Sequence, residues 1–469
     1  MCVQLIKKYS STTKKKDGWK RNHPTSLLLS VVSALVLPIA MGQETLPNIV
    51  VIFADDLGYN DVSCYGGGYP TPVLDQMAQE GLRATDCIVP ANVCSPSRAS
   101  LLTGRYPKRN GHPLCGAFGL HPEEITIPEV LKPAGYTSLA VGKWHLGFHM
   151  EGSHPLDAGF DEYVGFPHNY LDQKGTEDRN LYRNRSIIKE EVDFEEITPF
   201  YNKEVGEFIE REKEGPFFIY MSHQIAHTPI LPGTQFKGKT KKGIVADFVS
   251  ELDHSVGTVL DALEKAGVAQ NTLVVFLSDN GQAGMRPITT LSGKKFTTME
   301  GGHRVPCIFR WPGEIKPGVV SDTTITSMDL FPLFCHLAGV KPPTDRTIDG
   351  DNIHDILLGQ QKESPHELLY YYNGHNLQAV RKGKWKLHLP RTKKDQPYWG
   401  AAGKGTHFFQ ELAHPFLVNL EADLLEEKNV AEEYPEVVRE LSAVADRVKA
   451  ELGGIQQKGT DERAAWTGQ

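Results

Sequence analysis

The chain has no excess of positive charge, no internal repeats and no long low-complexity segment. Its 50 lysines and arginines are outnumbered by 58 aspartates and glutamates, so the formal net charge is −8 at pH 7. Proteins that bind nucleic acid normally present a basic surface to the phosphate backbone, so we expect no nucleic-acid partner. An anionic substrate would have to meet positive charge at one local site.

Cysteines are few, and none of them belongs to a C-x-x-C pair of the kind that binds zinc. The seven are Cys2, Cys64, Cys87, Cys94, Cys115, Cys307 and Cys335. Cys2 lies in the N-terminal leader described next, and an odd number remains if Cys94 is also set aside. The sequence therefore predicts no complete disulfide framework, and we expect some of these residues to be buried thiols.

The apolar run near the N-terminus is too short to cross a bilayer. It spans residues 27–40 after a basic stretch, whereas a membrane-spanning helix needs roughly 20 apolar residues. Ala40-Met41-Gly42 supplies small residues for cleavage, so residues 1–42 are interpreted as a secretory signal peptide. We expect a secreted or periplasmic protein without stable membrane insertion after cleavage. An uncleaved anchor and a start codon assigned too far upstream are the alternatives.

Apolar, β-rich runs alternate with helix-like segments over the first 340 residues. The clearest runs are residues 48–53, 138–141, 217–221 and 272–277. This alternation predicts an α/β fold in which helices cover both faces of a largely parallel sheet. One helix is expected to begin at Pro72, with Thr71 as its cap and Gly81 at its end.

A different pattern follows residue 340. Short runs at 368–372 and 377–389, with a turn at Lys382-Gly383-Lys384, predict antiparallel strands. A helix at 435–452 carries apolar residues at helical spacing and is expected to pack on these strands. Because 469 residues exceed what one hydrophobic core usually supports, we predict a large domain at 43–342 and a smaller α+β domain with an antiparallel sheet at 343–469.

Reactive polar side chains follow each of the four apolar runs. They are Asp55 and Asp56, then Lys143 and His145, then His223 and His227, and finally Asp279 and Asn280. Ligands of open α/β sheets bind outside the carboxyl ends of the strands, so these residues are expected to meet at one site. The acidic and amide residues offer only oxygen ligands, which suit Ca²⁺ or Mg²⁺ far better than zinc. Taken singly, each could instead be a solvated loop residue or a helix cap.

The most specific segment is residues 94–105, which read CSPSRASLLTGR. Ser95 can cap a short helix, Pro96 suits its first position and Gly104 suits its end. Cys94 would then lie at the positive end of the helix, with Arg98 about one turn later. This arrangement predicts a small anion-binding site. A lone cysteine is ordinarily an inert buried thiol, and here only the surrounding residues favour a reactive one.

The same segment matches the C-x-P-S-R-x-x-L-L-T-G signature of type I sulfatases, and the chain resembles that family in further blocks. In the family's order they are Asp55-Asp56-Leu57-Gly58, Gly142-Lys143-Trp144-His145-Leu146-Gly147, His227-Thr228-Pro229, Ser278-Asp279-Asn280-Gly281, Lys295 with Glu300-Gly301-Gly302, and Asn419-Leu420-Glu421-Ala422-Asp423 with Lys428-Asn429. The resemblance covers nearly the whole chain after the leader. It implies an alkaline-phosphatase-like fold, with a large mixed, mostly parallel sheet between helices and a catalytic domain at 43–342.

The resemblance also implies a cofactor and a set of site residues. A maturation enzyme would oxidise Cys94 to formylglycine, and Ca²⁺, less commonly Mg²⁺, would bind beside it. The implied metal ligands are Asp55, Asp56, Cys94, Asp279 and Asn280, and the implied catalytic residues are Cys94, Arg98, Lys143, His145, His227 and Lys295. Lys295 is chosen over Lys294 because it precedes Glu300 at the spacing of the family's lysine.

The family's mechanism assigns a role to each of these side chains. One hydroxyl of the hydrated aldehyde would attack sulfur, and the second, deprotonated by His145, would let the aldehyde re-form with loss of sulfate. Arg98 and Lys143 would orient the hydrate, while Lys295 and the metal would neutralise the sulfuryl oxygens. His227 would protonate the leaving oxygen.

Gly159-Phe160-Asp161 and Gly165-Phe166-Pro167 look like the arylsulfatase A and N-acetylgalactosamine-6-sulfatase branch of the family. That branch continues Tyr-Ser-x-Asp, whereas this chain continues His168-Asn169-Tyr170-Leu171-Asp172, so His168 or Asn169 would replace a sulfate-holding serine. The branch favours a galactose or N-acetylgalactosamine sulfate of a polysaccharide, processed by an exported bacterial enzyme. The alternatives are a formylglycine-dependent phosphonate or phosphodiester hydrolase and an inactive sulfated-glycan-binding protein. Two-zinc phosphatases commonly have Asp-His where this chain has Asp279-Asn280.

Overall fold

The computed structural model describes residues 46–116, 118–168, 179–284, 290–395 and 411–468. The chain from Thr45 to Gln469 forms one compact unit. The expected signal peptide and Asn169 lie outside the described residues, and these expectations stay predictions, as does the domain boundary after residue 342. Within the described ranges, no helix combines the length and the apolar character that crossing a bilayer requires.

A large mixed sheet of eleven strands dominates the described residues. In chain order the strands are β1 Asn48–Ala54, β2 Leu82–Ile88, β3 Thr137–Lys143, β4 Glu162–Phe166, β5 Leu181–Arg183, β6 Ser186–Lys189, β7 Phe217–Ser222, β8 Thr272–Ser278, β9 Arg304–Arg310, β10 Val319–Ser321 and β11 Ile325–Thr326. They lie in the order β10-β2-β9-β8-β1-β7-β3-β4-β5-β6, with β11 beside β2. The strands from β8 to β4 are parallel, whereas β9 and β5 run antiparallel to both of their neighbours. The predicted mostly parallel sheet is confirmed.

The central strand β1 is buried on both faces, which explains its uninterrupted apolar sequence. Ile49, Val51 and Phe53 contact the apolar cluster on one side of the sheet. Val50 and Ile52 contact the cluster on the other side. Because side chains alternate along a strand, both layers of the core depend on this one segment.

Helices cover both faces of the sheet, as expected. They are α1 Pro72–Glu80, α2 Cys94–Thr103, α3 Pro107–Asn110, α4 Ile127–Leu131, α5 Ile197–Glu212, α6 Ile244–Lys265, α7 Glu300–His303, α8 Leu330–Leu337, α9 His354–Leu357 and α10 Pro435–Leu452. The apolar residues of α1, α5 and α6 join one cluster, and those of α2, α4 and α8 join the other. The sheet therefore lies between two helical layers.

The start of α1 differs from the prediction in its capping residue. The helix begins at Pro72 as expected, but Thr71 makes no capping hydrogen bond. Instead, the carboxylate of Asp253 on α6 accepts hydrogen bonds from the N–H groups of Val73 and Leu74, at 3.1 and 2.8 Å. Thr71 occupies the predicted N-cap position, but its side chain does not cap the helix, because a residue 180 positions away, invisible to local spacing, satisfies the helix end.

The C-terminal part carries a second, four-stranded antiparallel sheet. Its strands are β12 Leu369–Asn373, β13 Asn376–Lys382, β14 Trp385–His388 and β15 Phe416–Asn419, paired in chain order. The turn between β13 and β14 lies at the predicted place, and α10 has the predicted bounds. Leu441, Val444 and Val448 of α10 pack into the cluster formed by this sheet.

A buried cluster of charges joins the small sheet to the large one. Lys386 Nζ of β14 lies 3.0 Å from Glu300 Oε1 of α7 and 3.0 Å from Glu426 Oε1, and all three side chains are fully buried. Glu426 also accepts a hydrogen bond from the backbone N–H of Glu300 at 2.6 Å. Burial alone would raise the pKa of Glu300, but Lys386, Arg304 and Arg381 hold it well below its ordinary value. The cluster therefore depends on a lysine from the small sheet.

We expect Lys386→Met to lower the free energy of unfolding by about 3–5 kcal/mol, because it leaves two buried carboxylates without their shared cation. Lys384→Met is the matched control, since Lys384 is 41% exposed and pairs with Glu421 at 3.3 Å. Its loss should stay below about 1 kcal/mol. Guanidinium denaturation followed by circular dichroism measures both, and equal losses would contradict the prediction.

Candidate active site

The strand ends that were predicted to carry polar residues lie side by side, because β8, β1, β7 and β3 are consecutive in the sheet. Asp279 N–H donates to Ala54 O at 3.0 Å, and Asp55 N–H donates to Ile225 O at 2.9 Å. Asp56 N–H donates to Asp279 Oδ1 at 3.1 Å, although the two residues are 223 positions apart. Backbone pairing thus brings distant residues into one pocket.

Two buried carboxylates, Asp55 and Asp279, share the guanidinium of Arg98. Arg98 Nη2 lies 2.6 Å from Asp279 Oδ2 and 3.5 Å from Asp55 Oδ1, and Lys143 Nζ donates to Asp55 Oδ2 at 2.6 Å. Burial alone would raise the pKa of Asp55, but Lys143, His227 and Arg98 outweigh it and hold the pKa below its ordinary value. Burial and the charge of Asp55 raise the pKa of Asp279 well above its ordinary value. Arg98 and Lys143 therefore do not fully balance the negative charge that Asp55 and Asp279 would carry together, and a further cation would stabilise their ionised forms.

A second group surrounds Asp56. Lys295 Nζ donates to Asp56 Oδ2 at 2.9 Å, and Asn280 Nδ2 donates to Asp56 Oδ1 at 2.8 Å. His227 Nε2 lies 3.6 Å from Asp56 Oδ2, and its side chain is 16% exposed at the mouth of the pocket. Lys294 instead donates to a loop carbonyl at 3.2 Å, so the geometry favours Lys295 as the lysine of the site.

Cys94 is the first residue of α2 and lies between these groups. The helix is capped at Val93, so the expectation that Ser95 caps it was wrong by two residues. Cys94 Sγ lies 3.3 Å from His145 Nδ1 and 3.5 Å from Cys115 Sγ. Burial lowers the pKa of His145 to about 4, so its ring is neutral near pH 7 and can accept a proton.

Three non-glycine residues at or beside the pocket have a left-handed backbone. The φ angles are 58° at Asp56, 59° at His145 and 73° at Phe296, the neighbour of Lys295. Such conformations cost about 1–3 kcal/mol each and persist only where the surrounding structure enforces them. Backbone hydrogen bonds hold two of them, from His145 N–H to a carbonyl at 2.9 Å and from Phe296 N–H to another at 3.0 Å. Asp56 and His145 contact Lys295 and Cys94 from these positions.

The residues present fit a hard divalent cation. Asp55, Cys94 and Asp279 each place one donor atom within 4.8 Å of the other two. Asp55 Oδ1 and Asn280 Oδ1 are buried and have no hydrogen-bond partner in the described part of the chain. Buried oxygens that lack a hydrogen-bond donor are the ligands that Ca²⁺ or Mg²⁺ would satisfy.

The structure adds residues that the sequence did not indicate. Ser222, the last residue of β7, accepts a hydrogen bond from Arg98 and donates to Lys143 O at 2.5 Å. Cys115 lies beside Cys94, although no motif links the two. His168, by contrast, was already a candidate from the sequence, and its ring lies 6.1 Å from that of His145.

His223 has a structural role. Its Nδ1 accepts a hydrogen bond from Ile225 N–H at 3.3 Å, and burial lowers its pKa to about 3. A neutral imidazole that binds the backbone stabilises the loop after β7. His223 thus bonds to the backbone of its own loop, whereas His227 Nε2 faces the carboxylate of Asp56.

Comparison with known proteins gives one family. The sulfatase family model matches residues 47–340, and the model of the C-terminal region of aryl-sulfatase matches residues 364–467. The N-acetylgalactosamine-6-sulfatase of Mus musculus is 40% identical over 397 residues, which cover 77% of this chain and 75% of that protein.

Solved structures agree with this match. One comes from a study of the metabolism of multiple glycosaminoglycans by Bacteroides thetaiotaomicron; it has a TM-score of 0.77 at 28% identity and covers 86% of this chain and 99% of that one. Another is Ps i-CgsB in complex with k-i-k-neocarrahexaose, with a TM-score of 0.76 at 27% identity, covering 91% of this chain and 95% of that one.

Calcium is expected to stabilise the protein against heat. At a Ca²⁺ concentration 100 times the Kd, binding would add about 2.7 kcal/mol to the free energy of unfolding and raise Tm by about 3 °C for a chain of this length. Asp279→Asn should abolish the shift, because it removes a buried anionic ligand without changing the side chain's shape. Differential scanning calorimetry measures Tm.

Asp345→Asn serves as the control, since Asp345 is 63% exposed and pairs with its neighbour Arg346. This variant should respond to Ca²⁺ like the unaltered protein. If Asp279→Asn showed the same calcium response, the assigned cation pocket would be wrong.

Proposed function

Since the chain belongs to the sulfatase family, we propose that it hydrolyses the sulfate ester of a carbohydrate, using a formylglycine made from Cys94 and a bound Ca²⁺ ion. The supporting observation is the position of Cys94, whose Sγ lies 3.3 Å from His145 Nδ1 beside the carboxylates of Asp55 and Asp279. A maturation enzyme that oxidises cysteine to the aldehyde is the implied partner.

Asp55, Asp56, Asp279 and Asn280 are proposed to hold the cation together with residue 94. When present, the hydrated aldehyde and the ion supply an oxygen nucleophile of lowered pKa and a route for releasing sulfate. Arg98 supports this arrangement by fixing Asp279, and Lys143 does the same for Asp55. Both cations also lower the cost of bringing an anionic sulfate into a buried pocket.

The positions of two histidines indicate which proton each of them would transfer. His145 is the base that takes a proton from residue 94, because its Nδ1 is within 3.3 Å of the side chain at that position. His227 is the acid that protonates the departing alcohol, because it lies at the mouth of the pocket near Asp56. Lys295, fixed by Asp56, stabilises the negative charge on the sulfuryl oxygens.

The proposed substrate is a galactose or N-acetylgalactosamine sulfate within a polysaccharide. The name of the Mus musculus relative specifies an N-acetylgalactosamine 6-sulfate, and the ligand of Ps i-CgsB is a neocarrahexaose. An exported enzyme would meet such polymers outside the cell, and we keep secretion or the periplasm as the proposed location. The net charge of −8 makes the local cations the attraction for a sulfated chain.

The contacts in the pocket support a sulfatase better than the alternative functions named from the sequence. Asn280 donates to Asp56 and keeps one buried oxygen for an ion, where a two-zinc phosphatase would have a histidine ligand. An inactive glycan-binding protein would not need Cys94, Arg98 and both lysines in contact with the pocket. The sulfatase proposal accounts for all of them.

Matured protein with Ca²⁺ is expected to release sulfate from 4-nitrophenyl sulfate and from at least one sulfated galactose or N-acetylgalactosamine in a panel that varies sugar and sulfate position. His145→Gln should lower kcat by about 10²- to 10⁴-fold, because it removes the base. His254→Gln, at an exposed position of α6, is the control and should retain activity. Sulfate release is followed by ion chromatography.

Mass spectrometry of the peptide containing residue 94 establishes maturation before each assay, because conversion of cysteine to formylglycine lowers its mass. Matured, calcium-loaded protein that cleaved phosphonate monoesters but no sulfate ester would overturn the proposal. An unconverted Cys94 after co-expression with the maturation enzyme would also contradict it.

A further inference from the structure

A cavity of about 1140 Å³ opens beside the candidate active site. Its walls come from the loop that follows His145 and from the hairpin of β5 and β6. We call it the distal cleft and define it by Phe148, His149, Met150, Tyr182, Arg185 and Ile187. Ligand pockets usually measure about 300–1000 Å³, so this cleft has room for more than one sugar.

A row of aromatic and imidazole rings links the wall of the distal cleft to the candidate active site. The ring of His145 lies 6.1 Å from that of His168, and His168 lies 6.5 Å from His149 in the cleft wall. The ring of His149 is in turn 6.0 Å from that of Tyr182. A row of rings therefore leads from the candidate base into the cleft, and a chain molecule bound at the pocket could extend along it.

The wall of the cleft combines apolar and polar groups. The rings of Phe148 and Tyr182 pack 4.7 Å apart, and Ile187 is 46% exposed on the neighbouring strand. Phe148 and Tyr182 are mostly buried, whereas His149 is exposed and can hydrogen-bond to the hydroxyl groups of a sugar.

Arg185 gives the cleft a cation at its rim, beside Glu151 and Asp157, which also line it. Its side chain is 57% exposed, and Nη2 lies 2.6 Å from Asp157. An exposed pair of this kind contributes little to stability, about 0–1 kcal/mol. The planar guanidinium has several N–H donors and suits bidentate contact with a sulfate or carboxylate group.

We propose that the distal cleft binds the part of the saccharide chain beyond the sugar whose sulfate is removed, with Arg185 contacting an anionic substituent on that part. The inference rests on the proposed sulfatase function and adds the part of the fold that binds the rest of the polysaccharide chain. Specificity for chain length and for neighbouring sulfate groups then comes from the loop after β3 and from the β5–β6 hairpin.

Kinetics with substrates of different length test the proposal. kcat/KM of the matured enzyme should rise from the sulfated monosaccharide to the hexasaccharide that carries the same sulfated terminal sugar. Arg185→Ala should lower kcat/KM for the hexasaccharide about tenfold more than for 4-nitrophenyl sulfate, as expected for one hydrogen bond to a charged group. No gain with length, or equal losses on both substrates, would overturn it.

The hairpin supplies matched controls. Arg183 lies two residues before Arg185, is 44% exposed and pairs with Glu204 at 2.7 Å, but it does not line the cleft. Arg183→Ala should behave like the unaltered enzyme on both substrates. In the same way, Ile187→Asp should weaken the binding of an anionic saccharide chain, because the new carboxylate repels it. Ile188 is 42% exposed and does not line the cleft, so Ile188→Asp should leave binding unchanged. Equal effects within either pair would contradict the proposal.

A direct binding measurement tests the role of the cleft independently of catalysis. Titration calorimetry of the Cys94→Ala protein with the sulfated hexasaccharide should give a Kd that Arg185→Ala in this background raises about tenfold. The unsulfated hexasaccharide should bind more weakly than the sulfated one. If Arg185→Ala did not alter binding, the proposed role of the cleft would be overturned even if the protein were an active sulfatase. If binding behaved as expected but no sulfate ester were hydrolysed, only the proposed sulfatase function would be overturned.

Discussion

The buried pair of carboxylates at the ends of β1 and β8 is the constraint around which the rest of the site is arranged. Asp55 and Asp279 are both fully buried, and two like charges that close together in a low dielectric are unfavourable without compensation. Compensation comes from two places in the sequence, Arg98 of α2 and Lys143 at the end of β3. A cation bound at the buried oxygens of Asp55 and Asn280 would add to it. The order of strands in the sheet makes these contributions converge.

The strand order also explains how much the sequence could predict. Each of the four apolar runs forms a strand that ends where polar residues begin, and all four strands are neighbours. Burial on both faces demands an apolar run, and the end of that run marks the edge of the sheet, so Asp55 and Asp279 could be expected to approach each other. The residue types alone therefore predicted which strand ends form the pocket.

Other features depend on contacts that local spacing does not contain. In the sequence Ser222 looks like an ordinary strand residue. Its role follows only from the hydrogen bond that it accepts from Arg98, which lies on a helix more than 100 positions earlier. The left-handed backbone at His145 requires neighbours from the rest of the fold to enforce it. Asp253 displaces Thr71 as the cap of α1 for the same reason, since a helix end takes whichever acceptor the packed structure offers.

The buried cluster of Glu300, Lys386 and Glu426 bears on how such chains can be recombined. Glu300 lies five residues after Lys295, whereas Lys386 comes from the small C-terminal sheet. A chimera that took this sheet from a relative without the lysine would bury Glu300 and Glu426 without the cation that they share, near the loop of Lys295. The two regions are therefore exchangeable only as an electrostatically matched pair, and the smaller one is a structural partner of the site rather than an accessory module.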